Sequence, residues 1–287
     1  MIETSFHTDS VLSPDGTTIG YRQYGKGAGL VLVQGAMGTA QNFAGLAAAL
    51  AETFTVCVPD RRGRGTSGPY GDAYSVARDV EDLEAVLYRT GSQFVFGLSS
   101  GALIALQAAM TPIGIDRLAL YEPPLFVDEP LPFELMTRYE REIAAGDVAA
   151  ALVSGMLASQ MGPPIFNRIP RPLLTLLTRL AMRYEARDGK SGYVPMRELA
   201  PTLHYEFELI VEMSGVLDRI RRLAAPVLLL GGSQSPAFLK RGLDAIEARL
   251  ANVTRLELAG VGHGAAWNTD RGGSPERVAK ALRDFFA

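Results

Sequence analysis

The chain has 287 residues, 47% hydrophobic and 21% charged, with 28 basic side chains against 31 acidic ones and a formal net charge of -3. This is ordinary globular composition with enough chain for a sizeable core, so it excludes a disordered segment, a collagen-like repeat and a disulfide scaffold. No basic excess exists to hold a phosphate backbone, so no nucleic-acid partner is expected.

In chain order, MIETSFHTDS comes first and has neither a basic n-region nor an apolar h-region, so it does not read as a secretory signal. Thr17–Tyr24 predicts antiparallel edge strands. Short apolar runs then alternate with helix-length segments. Strands are predicted at Leu30–Val33, Phe54–Val58, Phe94–Leu98 and Leu118–Tyr121, and helices at Ala40–Ala51, Ser75–Thr90 and Ser100–Met110. The only cysteine, Cys57, falls in the second of these strands and reads as a buried small hydrophobe in a reduced compartment. After residue 223 the alternation resumes, with strands at Val227–Leu230 and Thr254–Leu258 and helices at Pro236–Leu250 and Ser274–Phe286. Most of the runs are apolar on both faces, as strands covered by helices on each side must be. The expected fold is α/β, a mainly parallel, doubly wound sheet. No apolar run approaches the roughly 20 residues of a membrane span. A cytoplasmic protein without a membrane span is the expectation.

Residues 123–223 break the rhythm. They hold no convincing strand, and roughly 100 residues is far beyond an ordinary loop. Pro and Gly punctuate four helical stretches near Pro132–Ala145, Asp147–Met161, Pro172–Arg187 and Pro195–Val211. The predicted organisation is a core of 1–122 and 224–287 with 123–223 inserted as a helical cap. Met136, Met156, Met161, Met182, Met196, Phe207 and Met213 enrich the cap. They serve either as its own core or as the wall of an apolar pocket between cap and sheet. Gly35, Met156, His204 and Phe207 are the residues expected at such a pocket.

Gly97-Leu98-Ser99-Ser100-Gly101 is G-x-S-x-G, placed directly after a predicted strand and before a predicted helix. That context turns a common pattern into a nucleophile elbow, whose tight turn exposes Ser99 Oγ beside a helix N-terminus. A serine needs a base to attack at neutral pH. Only three histidines exist. His7 precedes the sheet and His204 lies in the cap. His263 follows the last strand in the loop Gly260-Val261-Gly262-His263-Gly264, at the sheet edge where active groups of such folds gather. An imidazole base must be neutral, so activity is expected to rise with pH as that ring loses its proton.

An acid must hold the imidazole tautomer. The loop after Val227–Leu230 reads Gly231-Gly232-Ser233-Gln234-Ser235-Pro236, without a carboxylate. Glu122, in Tyr121-Glu122-Pro123-Pro124, ends the strand expected beside that of Ser99, and the two prolines stiffen its exit. Glu122 is the candidate acid; the competing readings are an ion pair with a cap arginine and a water-assisted or dyad arrangement. The oxyanion donors expected are the Ser100 amide and an amide of Ala36 or Met37, in Gln34-Gly35-Ala36-Met37-Gly38. Gly63-Arg64-Gly65-Thr66-Ser67-Gly68 satisfies G-x-G-x-x-G but runs into Pro69-Tyr70-Gly71-Asp72 instead of a helix, so no dinucleotide is expected there. With no H-E-x-x-H or Cys/His cluster, neither a metal nor another cofactor is expected.

Together the elbow, the loop after Leu30–Val33, the turn Asp60–Ser67, the inserted cap and the late Gly-His-Gly resemble the α/β-hydrolase superfamily over essentially the whole chain. The order Ser99, Glu122, His263 is similar to the family's nucleophile–acid–histidine order. Gln34-Gly35 departs from the His-Gly common at the oxyanion loop, and Ser233–Ser235 occupies the usual acid position. A glutamate after the sixth strand with a Ser-Ser-Gly elbow resembles zearalenone lactonases and their relatives. The resemblance implies a cofactor-free serine hydrolase acting on a small-molecule lactone or bulky apolar ester. A thioesterase, a C–C bond hydrolase, a perhydrolase or a non-catalytic ligand-binding protein would use the same framework.

Overall fold

The computed structural model describes residues 5–160, 166, 168–188 and 192–287. Eight strands, β1 (Phe6–Leu12), β2 (Thr18–Tyr24), β3 (Ala28–Val33), β4 (Phe54–Pro59), β5 (Phe94–Leu98), β6 (Arg117–Tyr121), β7 (Val227–Gly232) and β8 (Val253–Leu258), form one sheet. Its order is β1-β2-β4-β3-β5-β6-β7-β8. β1 and β2 are antiparallel additions at one edge, and every pairing from β4 to β8 is parallel. This is the α/β-hydrolase fold.

The period of two along each central strand divides the core. On β3, Leu30 and Leu32 pack with α1 (Ala44–Leu50) and α10 (Pro275–Phe286), while Val31 and Val33 face α2 (Val76–Thr90), α3 (Ser100–Ala109) and α9 (Ala237–Glu247). Both faces are therefore dry. Full burial of each such aliphatic side chain is worth about 1.5–3 kcal/mol against exposure. Cys57 is fully buried on β4, and burial pushes its thiol up to about 11.

Three elements differ from their sequence reading. β1 has a polar alternation (His7, Asp9) and an exposed outer edge, which hides a strand from any search for apolar runs. The helix expected over Ala40–Ala51 opens as a 3-10 turn, Ala40–Phe43, before α1. The one helix expected over Pro195–Val211 is instead α7 (Met196–Leu199), a 3-10 turn at Ala200–Thr202 and α8 (Leu203–Glu212). Pro201 explains the break, because it carries no N–H and its ring crowds the preceding turn.

Between β6 and β7 the described residues contain helices and turns only: α4 (Phe133–Ala144), α5 (Val148–Ala158), α6 (Arg171–Asp188), α7 and α8. Met161, expected at the end of the second of these, lies outside the described residues. Met136, Tyr139, Leu152, Met182, Leu203 and Phe207 form a third apolar cluster within this insertion, whereas Met213 belongs to the core beneath the sheet. The loops that follow β3, β5, β6 and β8 leave from the same ends of parallel strands, so residues far apart in sequence share one edge. No helix among the described residues is long and apolar enough to cross a membrane.

Candidate active site

Ser99 stands between β5 and α3 with φ 57° and ψ -125°, a conformation that non-glycine residues adopt only under constraint. The constraint is visible on both sides. Its amide donates to Tyr121 O at 2.8 Å, and its carbonyl accepts from Ala102 N at 2.9 Å. A Cβ on Gly97 would lie 2.6 Å from Ala102 Cα, and one on Gly101 would lie 2.5 Å from Gln34 O. Glycine is required at both because strand, helix and loop approach to backbone contact. The elbow thus presents Ser99 at the head of α3.

β5 and β6 pair through Leu98 and Tyr121, which sets the next residue, Glu122, beside the elbow. Glu122 has φ 48° and is fully buried. Its Oε1 accepts from Gly232 N at 2.6 Å, and its Oε2 lies 2.7 Å from His263 Nδ1. Gly231 makes the space: a Cβ there would stand 3.1 Å from Glu122 Oε1. The side chain of Glu122 thus reaches across from β6 to the tip of β7, whose own loop, Gly231–Pro236, carries no carboxylate. The His263 loop is pinned where Tyr121 Oη donates to Gly262 O at 2.8 Å and Gln234 N to Val261 O at 2.9 Å. With Nδ1 on the carboxylate, Nε2 is the ring nitrogen left for a nucleophile. Among the described residues it forms no hydrogen bond with Ser99 Oγ. His7 is on β1, at the far edge of the sheet.

Ala36, Met37, Ser99 and Ser100 all line one cavity. The Ala36, Met37 and Ser100 amides donate to no described group. Met37 has φ 55°, so three of the five non-glycine residues at positive φ in the described chain (Met37, Ser99 and Glu122) belong to this region. Gly35 is not on the cavity wall, contrary to expectation. It packs against the elbow, where a Cβ would meet Ser99 Cβ at 2.8 Å.

Four charged groups lie buried behind the elbow, and the sequence reading assigned a role to none of them. Arg61 Nη1 donates to Glu206 Oε1 at 2.9 Å and to Ser100 Oγ at 3.2 Å, and Arg61 Nη2 pairs with Asp79 at 3.3 Å. Arg64 pairs with the same Glu206 oxygen and donates to Gly35 O at 2.8 Å and Gly38 O at 3.2 Å. It thereby braces the loop that carries the candidate oxyanion amides. Burial pushes the Glu206 carboxyl up, but the Arg61 and Arg64 charges, with the Ser100 hydroxyl, outweigh it and hold the group below its ordinary range. Burial lowers Arg61, but Asp79 and Glu206 more than reverse that, so it stays charged. Tyr70 stacks on Tyr205 with ring centroids 3.5 Å apart, a further tie between the turn and α8. One signal was readable: Glu206 interrupts the stripe Leu203, Phe207, Ile210 at helical spacing.

The cavity has a volume of about 370 Å³. Leu203, Glu206, Phe207 and Ile210 of α8 line it, with Met136, Leu152, Met156 and Met196 from the other inserted helices and Phe126, Phe238 and Trp267 from loops and α9. The methionines and Phe207 therefore divide their work: Met136 and Phe207 serve both the insertion's own cluster and the cavity. His204 is not on the wall. One residue along from Leu203, it turns about 100° away from the lining stripe. Its side chain is 41% exposed and lies between Glu140 at 2.8 Å and Glu208 at 3.3 Å.

The site thus joins a serine held at a strained strand-to-helix turn with an imidazole and a carboxylate at the same sheet edge. Residues 30–281 match the Alpha/beta hydrolase family. The chain belongs to that family, and it is a hydrolytic enzyme. It is 27% identical over 270 residues to the 3-hydroxybutyrate-oligomer hydrolase of Cupriavidus necator, covering 88% of this chain and 89% of that protein. Among solved structures it is similar to an alpha/beta hydrolase from Sphaerobacter thermophilus, at 31% identity and a TM-score of 0.79, covering 97% of this chain and all of the other. The enol-lactonase of Burkholderia xenovorans shares the fold at 19% identity and a TM-score of 0.69, with 97% of this chain and 99% of that one covered.

Proposed function

We propose that this hydrolase cleaves carboxylic esters or lactones of bulky apolar compounds through Ser99, His263 and Glu122. The observation that carries the reading is the 2.7 Å contact between Glu122 Oε2 and His263 Nδ1, with the other carboxylate oxygen held by Gly232 N–H. It favours the tautomer with the proton on Nδ1 and leaves Nε2 as a base. Ser99 Oγ attacks the carbonyl carbon as its proton passes to Nε2. The negative charge that develops on the carbonyl oxygen is met by the Ser100 amide and by Ala36 or Met37, beside the N-terminus of α3. The C–O bond breaks, and the leaving alkoxide takes the proton from His263. In a lactone this alkoxide stays attached to the acyl group. Water, deprotonated by the same ring, releases the acid and restores Ser99.

The apolar wall of the cavity supports a bulky apolar substrate, and 123–223 acts in this reading as a cap over the core of 1–122 and 224–287. The acid after the sixth strand is the feature shared with zearalenone-lactonase-like enzymes. The relatives' names, a 3-hydroxybutyrate-oligomer hydrolase and an enol-lactonase, favour an ester or lactone over a thioester or C–C bond.

The test is a fluorophosphonate probe followed by a panel of esters, lactones and thioesters read by mass. Stoichiometric labelling at Ser99 is expected, with turnover lost by about four to six orders of magnitude in Ser99→Ala. A lactone gives one product heavier by water and an open ester gives two fragments. Near-normal turnover in Ser99→Ala ends the proposal.

A further inference from the structure

Glu206 is only 2% exposed and lines the cavity together with Ser99 and Ser100. Its Oε1 is committed to Arg61 and Arg64. Its Oε2 is buried and makes no hydrogen bond among the described residues. The two arginines keep the carboxyl ionised, so Oε2 is a strong acceptor without a donor, on a side chain that lines a chamber otherwise walled by residues such as Leu152, Met156 and Phe207. A buried acceptor of this kind is destabilising until something donates to it. Trp267 supplies the opposite sense: the residue lines the same cavity, and its Nε1 is a buried donor with no described partner.

The charge balance narrows the ligand. Arg61 and Arg64 offset Asp79 and Glu206, so the cluster carries no unbalanced negative charge that calls for a cationic ligand. What Oε2 lacks is a proton to accept, and a neutral hydroxyl brings one without importing charge.

We propose that Glu206 accepts a hydrogen bond from a substrate hydroxyl, so that the preferred substrates are esters or lactones of hydroxylated, otherwise apolar compounds. The proposal rests on the serine-hydrolase reading above and makes Glu206 a specificity-determining residue rather than a chemical participant. Arg61 links it to the elbow through Ser100 Oγ, so a bound hydroxyl is registered next to the nucleophile.

The test uses pairs of esters with the same apolar acyl chain, one plain and one carrying a hydroxyl at successive carbons. In the wild-type protein, kcat/KM is expected to favour the hydroxylated ester at one position by at least about tenfold, the scale of a hydrogen bond to a charged group. In Glu206→Gln the amide oxygen stays with the arginines and an N–H donor replaces the free acceptor, so the ratio falls towards one. A ratio near one at every position in the wild type overturns the proposal and assigns Oε2 to a water. The wild-type comparison stands even where Glu206→Gln fails to fold. Affinities of the same pairs for Ser99→Ala, read by calorimetry, separate the two readings. A preference for the hydroxylated ester without wild-type hydrolysis keeps this inference and removes the serine-hydrolase reading; equal affinities remove this one.

Discussion

Glu122→Gln changes the charge and donor pattern of the candidate acid at nearly constant volume. Both carboxylate oxygens now act as acceptors, Oε1 from Gly232 N–H at 2.6 Å and Oε2 towards His263 Nδ1 at 2.7 Å. The residue is fully buried, so bulk water does not substitute for either contact. Glutamine offers one acceptor and one donor. With its oxygen on Gly232 N–H, its NH₂ faces Nδ1 and drives the ring proton to Nε2, the nitrogen that receives the Ser99 proton in the proposed mechanism. The flipped amide instead sets two donors against each other at Gly232, at a cost of about 1–3 kcal/mol. The wrong tautomer is expected to lower kcat on the order of 10⁴-fold, or ~5 kcal/mol in the barrier at about 1.36 kcal/mol per decade. Turnover of a chromogenic ester reads the loss, and a thermal melt followed by circular dichroism reports whether the fold is kept. A folded Glu122→Gln variant within about tenfold of wild type would mean that Glu122 does not set the imidazole tautomer, and the proposed mechanism would fall.

Three further outcomes are expected. Gly35→Ala places a Cβ 2.8 Å from Ser99 Cβ and 3.1 Å from Leu98 O. It should push the loop of the candidate oxyanion amides off the elbow and lower kcat by roughly 100- to 1000-fold, checked by steady-state kinetics. Arg64→Met removes a fully buried partner of Glu206 and the brace on Gly35 O and Gly38 O. Since Glu206 keeps Arg61, the loss should lie near ~3 kcal/mol, the low end for a broken buried pair, and urea denaturation measures it. The Glu206 carboxyl is held below its ordinary value of 4.5 in the folded protein. A lowered folded value means that its stabilisation is complete above the unfolded value and fades as pH falls through the folded one. The difference in melting temperature between wild type and Glu206→Gln should therefore be constant near neutral pH and shrink as pH drops below about 4. A difference that stays unchanged down to about pH 3 counts against the ion-paired carboxylate.

How much of the site was legible depended on the range of the interactions that make it. Ser99 was readable because its constraint is local: a strand, two glycines and a helix start within five residues leave one way for the chain to turn. The candidate partners Glu122 and His263 followed from the same alternation, because parallel strands order their loops along one edge. β1 was hidden, since an edge strand exposed to water carries no run of apolar residues. Arg61, Arg64 and Glu206 escaped for a different reason. Each is an ordinary charged residue in its own stretch of chain and becomes exceptional only once burial removes its water.

Sequence by itself determined the α/β alternation, the helical insertion after Tyr121 and the strained elbow at Ser99, because short-range periodicity and backbone sterics act on neighbours along the chain. Only the tertiary structure decided that Glu122 fills the space left open by Gly231 and accepts from Gly232 N–H, and that His204 faces solvent between two glutamates. It also decided that α8 sets Glu206 against two arginines from a turn more than a hundred residues earlier. Those choices depend on which groups are excluded from water together, a property that separation along the chain does not encode.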